Sequence, residues 1–165
     1  MTDNPRKIFL DTSFFIRLYK TDDPDHDNAK KYYRKFRDNG DKLYLSTIVA
    51  AEFGTGADIK KLPYRSLTVL PFNLSHASRS SLLASLAFEK KKKGVVKLEN
   101  RVVIPNDTKI LAQAEEVEAD LFIARDKNCK TVFDLMKENS LVSFDYLDLR
   151  TPPSTFFNEF DFPDL

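Results

Sequence analysis

"KIFLDTSFF", residues 7–15, carries an apolar run into a single carboxylate, Asp11, and follows it with two hydroxyls and a second apolar patch. Lys7 to Leu10 suits a short buried strand. Phe15, Ile16 and Tyr19 then fall at i, i+1 and i+4, the spacing of a buried helical face. A strand passing into a helix across an acid is therefore the opening unit. "DLFIARD", residues 120–126, repeats the pattern and ends its apolar run on Asp126.

The same alternation fills the space between them. An acidic turn with Pro24 precedes Ala29, Tyr32, Tyr33 and Phe36, an amphipathic helical stripe stopped at Asn39 and Gly40. "KLYLS", residues 42–46, reads as a strand, and Ile48, Val49, Glu52 and Phe53 begin the next helix. "LTVLPF", residues 67–72, is a third strand, followed by a helix from about Ser75 that presents Leu82, Leu83, Leu86 and Ala87 and closes at "EKKKKG", residues 89–94. "RVVIPND", residues 101–107, predicts a short strand, with a helix starting near Asp107. "TVFDLMKEN", residues 131–139, predicts a helix and "LVSFDYL", residues 141–147, a final strand. Such alternation favours an α/β domain with a mostly parallel central sheet and helices on both faces.

Composition narrows the rest. The 165 residues, 42% hydrophobic, suit one compact domain, taken as residues 1–148, with residues 149–165 a Pro- and Phe-rich acidic tail. That tail reads equally well as folding back on its own domain or as docking on a partner or second subunit. The 26 basic and 25 acidic residues nearly cancel, so any nucleic-acid site must be local. A single cysteine, Cys129, precludes an intramolecular disulfide and reads as a packing residue. No apolar run approaches the roughly 20 residues of a membrane span. The expectation is a cytoplasmic protein with no membrane contact. The lysines of "EKKKKG" suit a helix C-terminus better than a phosphate patch. His26 reads as part of a solvated turn, and His76 as a helix-start residue.

Four acids stand out. Ligands of open α/β sheets bind beyond the carboxyl ends of the strands. Asp11 and Asp126 directly follow predicted strands, Glu52 lies on the helix after the second, and Asp107 opens the helix after "RVVIP". Each has a structural alternative: Asp107 and Asp11 as helix caps, Asp126 as a turn residue. Glu52 is harder to explain so, because it sits between Val49 and Phe53 on a side that reads as buried. Carboxylates gathered without a basic counterpart repel unless a cation neutralises them or their pKa values rise. An all-oxygen set suits Mg²⁺ or Mn²⁺.

With these residues in view, "IFLDTSFFI", "LSTIVAAEF", "IPNDTKILAQA" and "LFIARD" resemble, in order, the four signature segments of PIN-domain nucleases, over roughly residues 6–146. The resemblance implies a three-layer α/β/α sandwich and a Mg²⁺- or Mn²⁺-dependent endoribonuclease, often the toxin of a VapBC-type toxin and antitoxin pair. It implies RNA as substrate, an antitoxin protein as partner and a homodimer. Carried over by position, Asp11, Glu52, Asp107 and Asp126 are the acidic centre. Asp11, Asp126 and Asp107 would coordinate metal directly, and Glu52 through water or by orienting the hydrated ion. Thr12, Ser13, Arg125 and Asn128 could contact substrate or support the acids: the two hydroxyls by donating to the site or by capping, Arg125 by touching RNA or pairing with an acid. Two positions depart from the pattern. Ala124 stands where many relatives have a hydroxyl, and Asn128 where a further acid is common. Two other readings remain: a catalytically silent PIN-like module that binds RNA or protein, and a phosphatase with Asp11 as nucleophile, for which the second Asp two residues later is missing at Ser13.

Overall fold

The computed structural model describes residues 4–98 and 103–158. The opening unit forms as its sequence dictates. β1 (Lys7–Leu10) passes through Asp11 into α1 (Thr12–Tyr19), and the Asp11 side chain caps α1 by accepting from the Ser13 amide. α2 (His26–Asp38) follows the Pro24 turn and ends at Gly40, whose φ of +74° is the left-handed conformation that closes a helix without a Cβ penalty. β2 (Lys42–Ser46) runs into α3 (Thr47–Phe53), and two single-turn 3-10 helices, Ile59–Lys61 and Tyr64–Ser66, lead to β3 (Thr68–Leu70). Then come α4 (Leu74–Lys92), α5 (Val103–Glu116), β4 (Leu121–Ala124), α6 (Lys127–Glu138), β5 (Asp145–Asp148) and α7 (Pro153–Phe156).

The five strands make an all-parallel sheet in the order β3-β2-β1-β4-β5. Ile8 lies opposite Leu43 on one side and Leu121 on the other. Ile8, Phe9 and Leu10 in β1 and all of β4 are buried without alternation, as expected of strands covered on both faces. The protein is thus the expected α/β sandwich, with helices on each side of a parallel sheet. Phe9 stacks on Phe122 at 5.6 Å between ring centres, and Phe122 packs in turn on Phe144, so the middle of the sheet is locked by aromatic pairs.

Three local expectations are corrected. Of "RVVIPND", residues 101 and 102 lie outside the described set, but from Val103 the chain is α5 rather than strand. Pro105 is tolerated because the first turn of a helix has no intrahelical partner for its N–H. Burial of Ile104, Ile110, Leu111 and Ala114 outweighs the β-branched start. Asp107 therefore sits past the first turn of α5, not at its mouth. The final strand is shorter and later than residues 141–147: Val142 and Phe144 fill the core from a loop, and pairing begins at Asp145. α6 starts at Lys127 instead of Thr131, because Asp126 caps it.

Residues 149–158 fold back onto the domain. The Tyr32 hydroxyl donates to the Thr151 carbonyl (2.8 Å), the Asn28 amide donates to the Leu149 carbonyl (3.0 Å), and Phe156 and Phe157 pack against Tyr32. Residues 159–165 of the tail lie outside the described set.

Candidate active site

The strand order reverses between β1 and β4, the position where an open α/β sheet forms its crevice. The Asp11 amide donates to the Ile123 carbonyl (3.1 Å), carrying the β1–β4 pairing one residue past the strand and holding Asp11 in the crevice. Its carboxylate accepts from both the amide and the hydroxyl of Ser13. The Ser13 hydroxyl in turn accepts from the Arg125 amide (2.8 Å), tying the end of β4 to the start of α1. Across the crevice, the exposed Asp126 carboxylate accepts from the Cys129 amide (2.8 Å) at the head of α6.

Glu52 reaches the same place from α3. It accepts from the Thr12 hydroxyl and, through its other oxygen, from the Asn106 amide (3.0 Å). These bonds lock α1, α3 and α5 around one carboxylate. A second strut lies behind it, where the buried Ser46 hydroxyl donates to the Gln113 side-chain oxygen (2.5 Å). Asp107 completes the group, one residue after Asn106.

The electrostatics show that the four acids share one field. Asp107 has its pKa pushed up to about 8, first by burial and then by the charges of Asp11, Asp126 and Glu52. Asp11, 6% exposed, is raised to about 6 by burial, partly offset by its two bonds from Ser13. Burial also drives the Cys129 thiol upward, with all four acids adding to the effect. The thiol is therefore a neutral packing group, as read from the sequence.

Within the acid cluster one oxygen is unaccounted for: Asp107 Oδ2 is buried and accepts no hydrogen bond among the described residues. A buried carboxylate oxygen without a donor is costly. The donors around it are carboxylate oxygens, suited to a hard divalent cation. Among the described residues, no three His, Cys, Asp or Glu side chains stand in a finished metal-holding geometry. The donor chemistry fits Mg²⁺ or Mn²⁺, and the cage is not closed in this arrangement.

The remaining predicted positions fall as follows. Thr12 serves Glu52, and Ser13 serves Asp11. Arg125 pairs with Asp25 (2.5 Å), so of its two sequence readings the structure shows the acid partner. Asn128 is half-buried in the first turn of α6, and Ala124 is fully buried in β4. Sequence reasoning missed Asn106, Ser46 and Gln113. Their partners lie 54 and 67 positions away along the chain, and only the polarity of Asn106 beside Asp107 hinted at a site role. It also missed Tyr146, whose hydroxyl donates to the Asp126 carbonyl (3.3 Å).

A family profile described as the PIN domain matches residues 8–134 of the chain. No curated protein matches it in sequence. Among solved structures, it is similar to the VapC20 toxin of Mycobacterium tuberculosis, described as cleaving the sarcin-ricin loop. The TM-score is 0.56 and the identity 15%, over 75% of this chain and 93% of the other. It is also similar to VapBC2 from Rickettsia felis, solved bound to a promoter DNA fragment (TM-score 0.53, 16% identity, 86% and 98% covered). DNA-bound VapBC from Salmonella typhimurium gives a TM-score of 0.52 at 18% identity, with 87% and 98% covered. At these identities the likeness is one of fold.

Proposed function

The chain belongs to the PIN-domain family, and from that premise we propose that it is a Mg²⁺- or Mn²⁺-dependent endoribonuclease acting in the cytoplasm, the toxin of a toxin and antitoxin pair. The observation that carries this reading is the unpartnered Asp107 Oδ2 amid four mutually repelling acids. That arrangement destabilises the empty site and is relieved by a divalent cation. RNA as substrate and an antitoxin as partner are supported by the family and by the structures that share the fold, which include a toxin described as cleaving the sarcin-ricin loop and two VapBC complexes.

In this mechanism Asp11, Asp107 and Asp126 would hold the cation. A bound Mg²⁺ or Mn²⁺ would supply Lewis-acid polarisation of the phosphate and would lower the pKa of the attacking water, easing its deprotonation. Ser13 fixes the Asp11 rotamer, and the Asp126 carboxylate is oriented by the Cys129 amide. Glu52 is clamped by Thr12 and Asn106 and would act on the cation through water rather than by direct coordination. Arg125 is kept out of the acid cluster by Asp25, which leaves the positive charge there to the cation.

The test is RNA cleavage with Mg²⁺ or Mn²⁺, with and without chelator, beside Asp11→Asn. Cleavage is expected in the unsubstituted protein alone and only with metal. Cleavage that persists in chelator or in the variant overturns the reading. RNA binding without any cleavage or metal uptake identifies a silent module instead.

A further inference from the structure

Beside the acids, on the far side of Glu52, lies a groove of about 460 Å³ between α1, the end of α3 and the turn that follows it, lined by Ile16, Tyr19, Lys20, Glu52, Phe53 and Lys61 among others. It is a built surface. The Tyr19 hydroxyl donates to the Lys61 carbonyl (2.6 Å), and its ring packs on Phe53 at 5.7 Å. The aromatic plane is thereby pinned at both its polar tip and one side. Contrary to the buried face expected from their spacing, Tyr19 stays 38% exposed and Ile16 40%; of the three, only Phe15 is buried. Ile59 and Tyr64, on the two 3-10 turns of which the first ends at Lys61, are also 42% and 39% exposed, and the Tyr64 hydroxyl donates to the Ile59 carbonyl (2.8 Å). Lys20 and Lys61 line the groove, and neither ammonium forms an ion pair among the described residues.

A fixed, half-exposed aromatic face next to two uncommitted cations is the chemistry that holds a nucleobase and its phosphates. The groove is also continuous with the acid cluster, because Glu52 belongs to both. Tyr19 lies about 12 Å along α1 from Asp11, at 1.5 Å per residue. Resting on the nuclease reading above, we infer that this groove is a substrate subsite: it seats an unpaired nucleotide of the RNA close to the scissile phosphate, with the base against Tyr19 and the backbone against Lys20 and Lys61. Neutral overall charge does not oppose this, because the attraction is local. The subsite favours single-stranded or looped RNA, whose bases can leave the stack.

The test uses full-length protein carrying Asp11→Asn, with Mg²⁺ present, and a fluorescein-labelled single-stranded RNA octamer read by anisotropy. Tyr19→Leu is expected to weaken binding about tenfold, whereas Tyr19→Phe, which keeps the ring, stays within about twofold of the parent. Lys20→Glu with Lys61→Glu is expected to weaken binding further and to flatten the salt dependence by about 0.7 in log–log slope for each phosphate left without its lysine. A Lys92→Glu and Lys97→Glu pair, distant in sequence from the groove, serves as control for general charge. Circular dichroism confirms folding of each variant. Unchanged binding in the groove variants, or an equal loss in the control pair, overturns the inference and leaves the groove to a protein partner. Cleavage is scored separately on proteins that keep Asp11. An unsubstituted protein that cannot cleave sinks the nuclease reading, whereas one that cleaves with groove variants unaltered in rate and cut-site preference sinks only the subsite.

Discussion

Asp107 is where the cost of this site is concentrated. In the unfolded chain its carboxyl has an ordinary pKa near 3.8, and in the fold it rises to about 8. Folding thus favours the protonated acid. Its contribution to stability is complete below about pH 4 and is lost as pH rises through 8. Asp107→Asn removes that loss: in chelator its Tm is expected to exceed that of the unsubstituted protein at pH 8.5, by about 2–4 °C for each kcal/mol relieved, with the gap closing toward pH 4. A Tm difference that is constant across this range contradicts the assignment. At neutral pH the same variant is expected to lose RNA cleavage, so stability and activity move in opposite directions. Asp11, Asp126 and Glu52 are legible in the sequence because each interrupts an apolar pattern: Asp11 and Asp126 follow strand runs, and Glu52 breaks an apolar helix face. Asp107 is singled out on a different ground, as the first residue of a helix after a strand, and that ground does not hold, because it lies inside α5. Asn106 and Gln113 were not visible, because their roles depend on which distant element folds against them, and local polarity does not encode that.

At the scale of elements, the site depends on α1, α3 and α5 holding register around Glu52. Ser46 both caps α3, by accepting from the Ile48 amide, and donates to Gln113 on α5. Ser46→Ala removes a cap and leaves a buried amide oxygen short of its donor. The expected cost is about 2–4 kcal/mol by urea unfolding, with cleavage reduced even where the variant remains folded. Retained stability would show that the strut carries no load. The alternation of strand and helix was readable because apolar runs of four or five residues alternate with stripes of helical period. The failure at residues 103–107 has a definite cause. Val103, Ile104 and Pro105 are poor helix formers locally, yet packing of α5 against α4 and α6 decides the matter, and local propensity yields to tertiary burial. The late start of β5 has the same origin: Val142 and Phe144 are apolar because a loop delivers them to the core, and apolarity alone does not distinguish a loop from a strand.

For the whole molecule, the sheet supplies a rigid frame and the C-terminal segment a clasp across α2. The sequence left the clasp undecided, since exposed phenylalanines suit a partner as well as the chain's own core. The described part resolves it by packing Phe156 and Phe157 on Tyr32, with Phe157 also touching Phe36. Removing residues 149–165 is expected to lower stability by about 2–4 kcal/mol, since fully burying one phenylalanine is worth about 1.5–3 kcal/mol. Proteolytic resistance that is unchanged after the truncation would argue against a structural role. Above all, Asp11, Asp107 and Asp126, with Glu52 beside them, are proposed to form one cation site from four parts of the chain. Isothermal titration of Mn²⁺ at pH 7, in buffers of different ionisation enthalpy, measures this most directly. The predicted result is saturable binding with proton release, because Asp107 is largely protonated when the site is empty, and loss of both binding and proton release in Asp107→Asn. Absence of Mn²⁺ binding, or equal binding by Asp107→Asn, would contradict the account.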